Sequence, residues 1–146
     1  MMINEAARYE ASCNCGLVQL TLFQRPEFIN DCNCSLCSKS GAIWGYFSRT
    51  DVEISGPTHT FERNDRSLPA VQIHFCGSCG STTHWSLTKA YLKEAGDVDR
   101  MGVNMRLFDS DQLAGIELRF PDGRAWNGEG EYEYRRKTII LGTDRI

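Results

Sequence analysis

Three short stretches decide how this sequence folds: Cys13-Asn14-Cys15-Gly16, Cys32-Asn33-Cys34-Ser35-Leu36-Cys37 and Phe75-Cys76-Gly77-Ser78-Cys79-Gly80. Together they hold all seven cysteines of the 146-residue chain. Cysteines placed only for packing would scatter; metal chemistry explains why these are grouped. A tetrahedral zinc takes four ligands, and close sequence pairs supply two of them at little cost in loop closure. The odd count also fits poorly with a closed set of disulfides. Two of the clusters end in glycine, at Gly16 and Gly80, a residue that lets a turn wrap an ion and aim backbone N–H groups at sulfur. This pairs Cys13, Cys15, Cys76 and Cys79 as one closed, structural zinc site that ties the N-terminal turn to the middle of the chain.

Cys32, Cys34 and Cys37 remain. Three protein ligands and one vacant position is the pattern of a working zinc, so these residues are candidates for both metal binding and catalysis. Two other readings stay open. A fourth ligand from Asp31, His59, His74 or His84 would close the site and make it structural. Alternatively, Cys34 and Cys37 would form a redox pair without metal. A histidine inside a strand such as Val71-Gln72-Ile73-His74-Phe75 is more often structural than a ligand. Lys39 would either offset a negatively charged metal centre or simply be solvated.

The rest of the chain sets the frame. Hydrophobic residues make up 41% of it, enough for a packed core and too many for a disordered chain. The length suits one domain, expected over 1–146, with a core of about 10–127 and a tail over 128–146. Sixteen basic residues against nineteen acidic ones give a net charge of −3, which argues against general nucleic-acid binding. No apolar run approaches the roughly 20 residues of a membrane span. The opening residues Met1–Glu10 lack the apolar segment of a signal peptide, so a cytoplasmic location is expected. Reduced thiols persist there, which favours metal over disulfides.

Outside the clusters the pattern is mostly strand. Apolar and β-branched runs predict strands over 17–23, 41–47, 52–54, 98–108 and 116–120. Val71–Phe75 and Ser81–Trp85 flank the last cluster as a hairpin with a metal knuckle at its tip. Helix is sparse, one or two short turns: Thr88–Ala95 ending at Gly96, and a turn after Asp109 that stops at Gly115. Residues 131–141 alternate and are expected to form an edge strand or an arm, with Arg135-Arg136-Lys137 as a solvated face.

The motifs Cys13-x-Cys15-Gly16, Cys32-x-Cys34-Ser35-x-Cys37-x-Lys39-x-Gly41 and Phe75-Cys76-x-x-Cys79-Gly80 resemble those of the glutathione-dependent formaldehyde-activating family, which includes the centromere protein V relatives. The segment Val103–Asp109 is similar as well, and the likeness runs from about Cys13 to Trp126. The resemblance implies a mostly-β fold, the β-tent, whose small coiled sheets are organised around zinc. It also implies a structural zinc on the first and third clusters and a second zinc on the triplet. Ile73 departs from the family, which often carries arginine there, and this bears on how an anionic substrate would be held.

A zinc on three thiolates carries net negative charge and is a weaker Lewis acid than one on three imidazoles. It suits capture of a small thiol such as glutathione better than hydrolysis. The expected activity is therefore a carbon–sulfur lyase type, acting on a thiol–aldehyde adduct such as S-hydroxymethylglutathione, the reaction the resemblance implies. The alternative is a non-catalytic zinc-binding interaction module of the same fold.

Overall fold

The computed structural model describes residues 8–143. The reading of the opening residues as no signal peptide falls largely on 1–7, outside the described residues. Strand alternation builds the first layer. In β2 (Gln19–Leu22) Leu20 and Leu22 point one way and are buried, as period-two side chains must when one face meets a core. β2 pairs antiparallel with β1 (Tyr9–Ser12) and β5 (Val52–Ser55), making a three-stranded sheet.

The second layer is an eight-stranded sheet. Its strands are β3 (Phe28–Asn30), β4 (Trp44–Phe47), β6 (Thr58–Glu62), β7 (Val71–Cys76), β8 (Thr82–Leu87), β9 (Met101–Asn104), β10 (Glu117–Arg119) and β11 (Ile139–Ile140). They run in the order β11-β10-β3-β4-β9-β8-β7-β6. All neighbours are antiparallel except β10 and β3, which pair in parallel. The fold is mostly β, as expected, and neither sheet closes on itself.

Alternation along β4 splits the interior in two. Ile43 and Phe47 face a large core shared with Leu20, Leu22, Ile29, Val103, Met105 and Phe120. Trp44 faces the other side, with Ala42, Ile73 and Trp85, and Leu36 and Cys37 pack against that cluster. The Trp85 indole lies so close to β9 that a Cβ at Gly102 would fall 1.9 Å from its Nε1. Glycine is required there for lack of room.

Among the described residues the α-helices are three and short: α1 (Ser35–Ser40), α2 (Lys89–Ala95) and α3 (Ser110–Leu113). The two expected ones have the expected ends. Thr88 caps α2 by accepting the Tyr91 N–H at 3.1 Å, and Gly96 follows it. The Asp109 N–H donates to Gln112 Oε1 before α3. α1 joins them on the cysteine triplet, where the sequence signal was metal spacing rather than helical periodicity. The strand expected over 98–108 is interrupted after β9. There the Asn104 side chain accepts the N–H groups of Ile43 and Arg106 and donates to the Thr82 carbonyl, and 105–107 turn into a single 3-10 turn. Among the described residues of the tail, Ile139–Ile140 alone forms a strand, with Ile139 and Leu141 buried in the large core. Residues 128–137 are exposed but pinned by the bridge between Tyr134 and Pro121, by the Asp122 N–H donating to the Glu133 carbonyl at 2.7 Å, and by Arg135, which pairs with Asp31 and donates its N–H to the Phe120 carbonyl.

Two histidines sit on facing positions of β7 and β8. The His74 and His84 rings stack with centroids 4.0 Å apart. His74 Nδ1 meets Thr58 Oγ1 at 3.1 Å and its Nε2 meets Ser86 Oγ at 2.7 Å, while His84 Nδ1 meets Thr83 Oγ1 at 2.9 Å. Burial, with the neighbouring His74 as a smaller cause, pushes His84 down to about 3. The folded protein therefore refuses a proton that the unfolded chain accepts below about pH 6.5. Stability is expected to fall as pH drops from about 6.5 towards 4, by up to about 1.4 kcal/mol per pH unit from this histidine. Calorimetric melting of wild type and His84→Gln across that range checks this; equal slopes would refute it.

Candidate metal centres

The first centre joins the two sheets. The β1–β2 turn carries Cys13 and Cys15, and the β7–β8 turn carries Cys76 and Cys79. Their sulfurs all lie within 4.8 Å of one another. Cys13 Sγ is 3.6 Å from Cys15 Sγ, which is 3.7 Å from Cys76 Sγ. A disulfide would need about 2.0 Å. Four thiolates at about 2.3 Å around a tetrahedral ion such as zinc would stand about 3.8 Å apart. The spacing fits the ion.

Local hydrogen bonds favour the thiolate at Cys13 and Cys79, whereas the Cys15 thiol is pushed up. The Val18 N–H donates to Cys13 Sγ at 3.3 Å. Ser81 Oγ lies 3.3 Å from Cys79 Sγ and accepts the Asn14 N–H at 3.1 Å, which laces the two turns together. The Ser81 hydroxyl, then the Ser81 and Cys15 N–H groups, draw the Cys79 thiol down to about 5. Gly80, in the left-handed region at φ 77°, donates its N–H to the Cys76 carbonyl at 2.8 Å and closes the knuckle.

The second centre is built on α1. Cys34 is its N-cap and accepts the Cys37 N–H at 3.4 Å, while Cys32 Sγ accepts the Cys34 N–H at the same distance. One helical turn brings Cys37 back over Cys34, and the three sulfurs lie within 4.8 Å of one another. The thiols of Cys32 and Cys37 hold Cys34 far below a thiol's usual range, and the Cys37 and Leu36 N–H groups assist. Cys37, crowded by Cys32 and Cys34 and largely buried, is pushed far up. The trio thus favours a thiolate on Cys34.

The turn 121–125 covers this centre. Asn33 Nδ2 donates to Asp122 Oδ1 at 2.9 Å, and the Arg124 N–H donates to Asn33 Oδ1 at 3.0 Å. That clip brings Gly123 so near that a Cβ would fall 2.4 Å from Cys32 Sγ. The sequence shows Pro121-Asp122-Gly123 only as a turn; the signal for its role is the Asn33–Asp122 pair, 89 residues apart and invisible to local patterning. Tyr46 and Tyr132 also lie close enough to feel the triplet's charge, and burial raises both. Tyr46 Oη accepts Asn30 Nδ2 at 2.9 Å, so its own O–H remains available as a donor.

None of the proposed fourth ligands joins the triplet. Among the described residues, the groups of three or more potential ligands are the two cysteine sets. Asp31 pairs with Arg135 at 3.2 Å, His59 stacks on Phe75, and His74 and His84 stack on each other.

Beside α1 opens a cleft of about 650 Å³, lined by Leu36, Phe61, Ile73 and Phe75 and by the cations Lys39 and Arg63. Arg63 escaped the sequence reading. It holds Asp65 through Nε at 2.6 Å and Nη2 at 2.8 Å, and Nη2 also donates to Ser35 Oγ at 3.1 Å.

Over residues 8–114 the sequence matches the family described as glutathione-dependent formaldehyde-activating enzyme. The chain belongs to this family. No curated protein shows significant similarity to it. A crystal structure of a Rhodobacter sphaeroides protein is similar at 22% identity, covering 68% of this chain and 87% of that one, with a TM-score of 0.52. That likeness concerns the fold alone. Within the formaldehyde-activating family frame, both cysteine sets that the sequence singled out converge in space, and each can hold a metal ion.

The first centre closes a long loop and the second a short one. Cys79→Ser is therefore expected to lower the melting temperature by about 10 °C or more beyond Cys34→Ser, since a structural metal contributes directly to folding. Thermal melts of both variants, with metal content by mass spectrometry, test this. Equal losses would erase the distinction between the centres.

Proposed function

We propose that this protein is a zinc enzyme that forms and breaks the carbon–sulfur bond between a thiol and an aldehyde, a carbon–sulfur lyase type acting on an adduct such as S-hydroxymethylglutathione. The observation that carries the reading is the triplet: three sulfurs within 4.8 Å with no fourth ligand among the described residues. Membership of the formaldehyde-activating family supports the thiol and the aldehyde. In this reading Cys13, Cys15, Cys76 and Cys79 hold a structural zinc, while Cys32, Cys34 and Cys37 hold a second zinc and form the catalytic centre. The whole chain acts as one domain in a reducing compartment, where its thiols persist.

Zinc on the triplet would supply one free coordination position for an incoming sulfur and favour loss of the thiol proton. The chain's own residues do the rest. The N–H groups of Cys34 and Cys37 hold the cysteine sulfurs in place. Asn33 and Asp122 lock the covering turn, which keeps Gly123 against Cys32 and limits solvent on that side. Lys39 and Arg63 place positive charge at α1, partly offsetting a centre of three thiolates. Positioning a thiol and an aldehyde together contributes most of the rate in such an addition.

Cobalt in place of zinc is expected to show new sulfur charge-transfer bands when glutathione or another small thiol is titrated to millimolar concentration. Formation of the glutathione–formaldehyde adduct, followed by NMR, is expected to exceed the uncatalysed rate and to fall to it in Cys34→Ser. Unchanged bands would favour the non-catalytic zinc module instead.

A further inference from the structure

We infer that β6 is an interface for a second copy of this chain, the two strands pairing antiparallel about a two-fold axis at Thr60 so that the large sheets of both copies become one. β6 is the last strand of the large sheet. Thr58–Glu62 pairs with β7 on one side, and among the described residues its backbone bonds to no other segment. Alternate N–H and C=O groups on the other side are thus left to water or to another strand.

Among the described residues, β6 is the longest of the four sheet edges. It has five residues, against four each in β1 and β5 and two in β11. Its register with β7 is regular. It contains no proline, lysine or bulge, the devices that commonly keep edges apart. His59, Thr60, Phe61 and Glu62 are exposed, and Phe61 keeps 50% of its surface in water, an aromatic area that strand pairing would cover.

The residue pattern of β6 fits a copy of itself. In an antiparallel pair, a residue whose N–H and C=O point outward faces another of the same kind, so the axis between two identical strands passes through a residue. An axis through Thr60 gives all five residues a partner. His59 then stands opposite the partner's Phe61 on one face, and Thr58 opposite the partner's Glu62 on the other. No like charges meet. An axis through His59 or Phe61 would leave two residues of each strand facing the flanking turns. The Thr60 register also carries ring contacts across the seam. His59 stacks on Phe75 within one copy, with centroids 5.8 Å apart, and the row continues into the partner's Phe61 and Ile73. Phe61 lines the cleft beside α1, so each copy sets an imidazole beside the other's cleft. Five residues a side make a small interface, and a dissociation constant of roughly 10–100 μM is expected.

Sedimentation equilibrium of the zinc-loaded protein under reducing conditions, from about 1 to 500 μM, is expected to show a monomer–dimer equilibrium. Thr60→Lys places two ammonium groups across the axis, on backbone positions about 5 Å apart. It is expected to weaken the dimer about tenfold or more, and Phe61→Lys to do the same. Glu10→Lys, which adds a lysine to the β1 edge instead, is expected to leave it unchanged. Hydrogen exchange of the wild type needs no variant to fold: amides within 58–62 are expected to gain protection as concentration rises. A protein that stays monomeric throughout, or a dimer that tolerates both β6 substitutions while exchange in 58–62 ignores concentration, would overturn the inference.

Discussion

Convergence of Cys13 and Cys15 with Cys76 and Cys79 is the constraint on which the rest of the structure depends. Cys15 and Cys76 are 61 residues apart in the chain and 3.7 Å apart at sulfur. The small sheet carries the first pair and the large sheet the second, so the four sulfurs fix how one layer meets the other. Everything between, including α1 and the triplet, lies inside the loop that this junction closes. Closing so long a loop has an entropic cost that grows only slowly with length, and four metal–sulfur bonds to an ion held there would outweigh it.

The two cysteine sets offer the same donor atom in different surroundings. At the junction, turns from two sheets surround the sulfurs, and Ser81 links both turns. At the triplet, the ligands come from one loop and one helical turn, with the covering turn at Gly123 and an open cleft at Leu36 and Phe61. Four sulfurs would complete a tetrahedral ion's ligand set, whereas three would leave one position open to another donor.

Much of this was legible in the residues themselves. Cysteine spacing marked both sets of sulfurs that converge, because metal geometry acts over two or three residues and leaves a local trace. Thr88, Gly96 and Gly115 marked the ends of α2 and α3 for the same reason. What stayed hidden depends on distant partners. β3 and β6 are short or half-polar and owe their existence to neighbours. Asn104 ended an expected strand through contacts with Ile43 and Thr82. Arg63 carried no motif, and its place beside α1 appears only once β6 is paired with β7.

The covering turn also sets an order in time. Both cysteine sets are complete once residue 79 has been made, but Gly123 and its Asn33–Asp122 clip come some forty residues later. At roughly 5–20 residues per second of synthesis, the triplet spends a few seconds without that wall. Whatever ion the nascent chain meets then has unobstructed access to it. An ion taken up by the triplet in that interval would be held by three sulfurs before the wall at Gly123 forms.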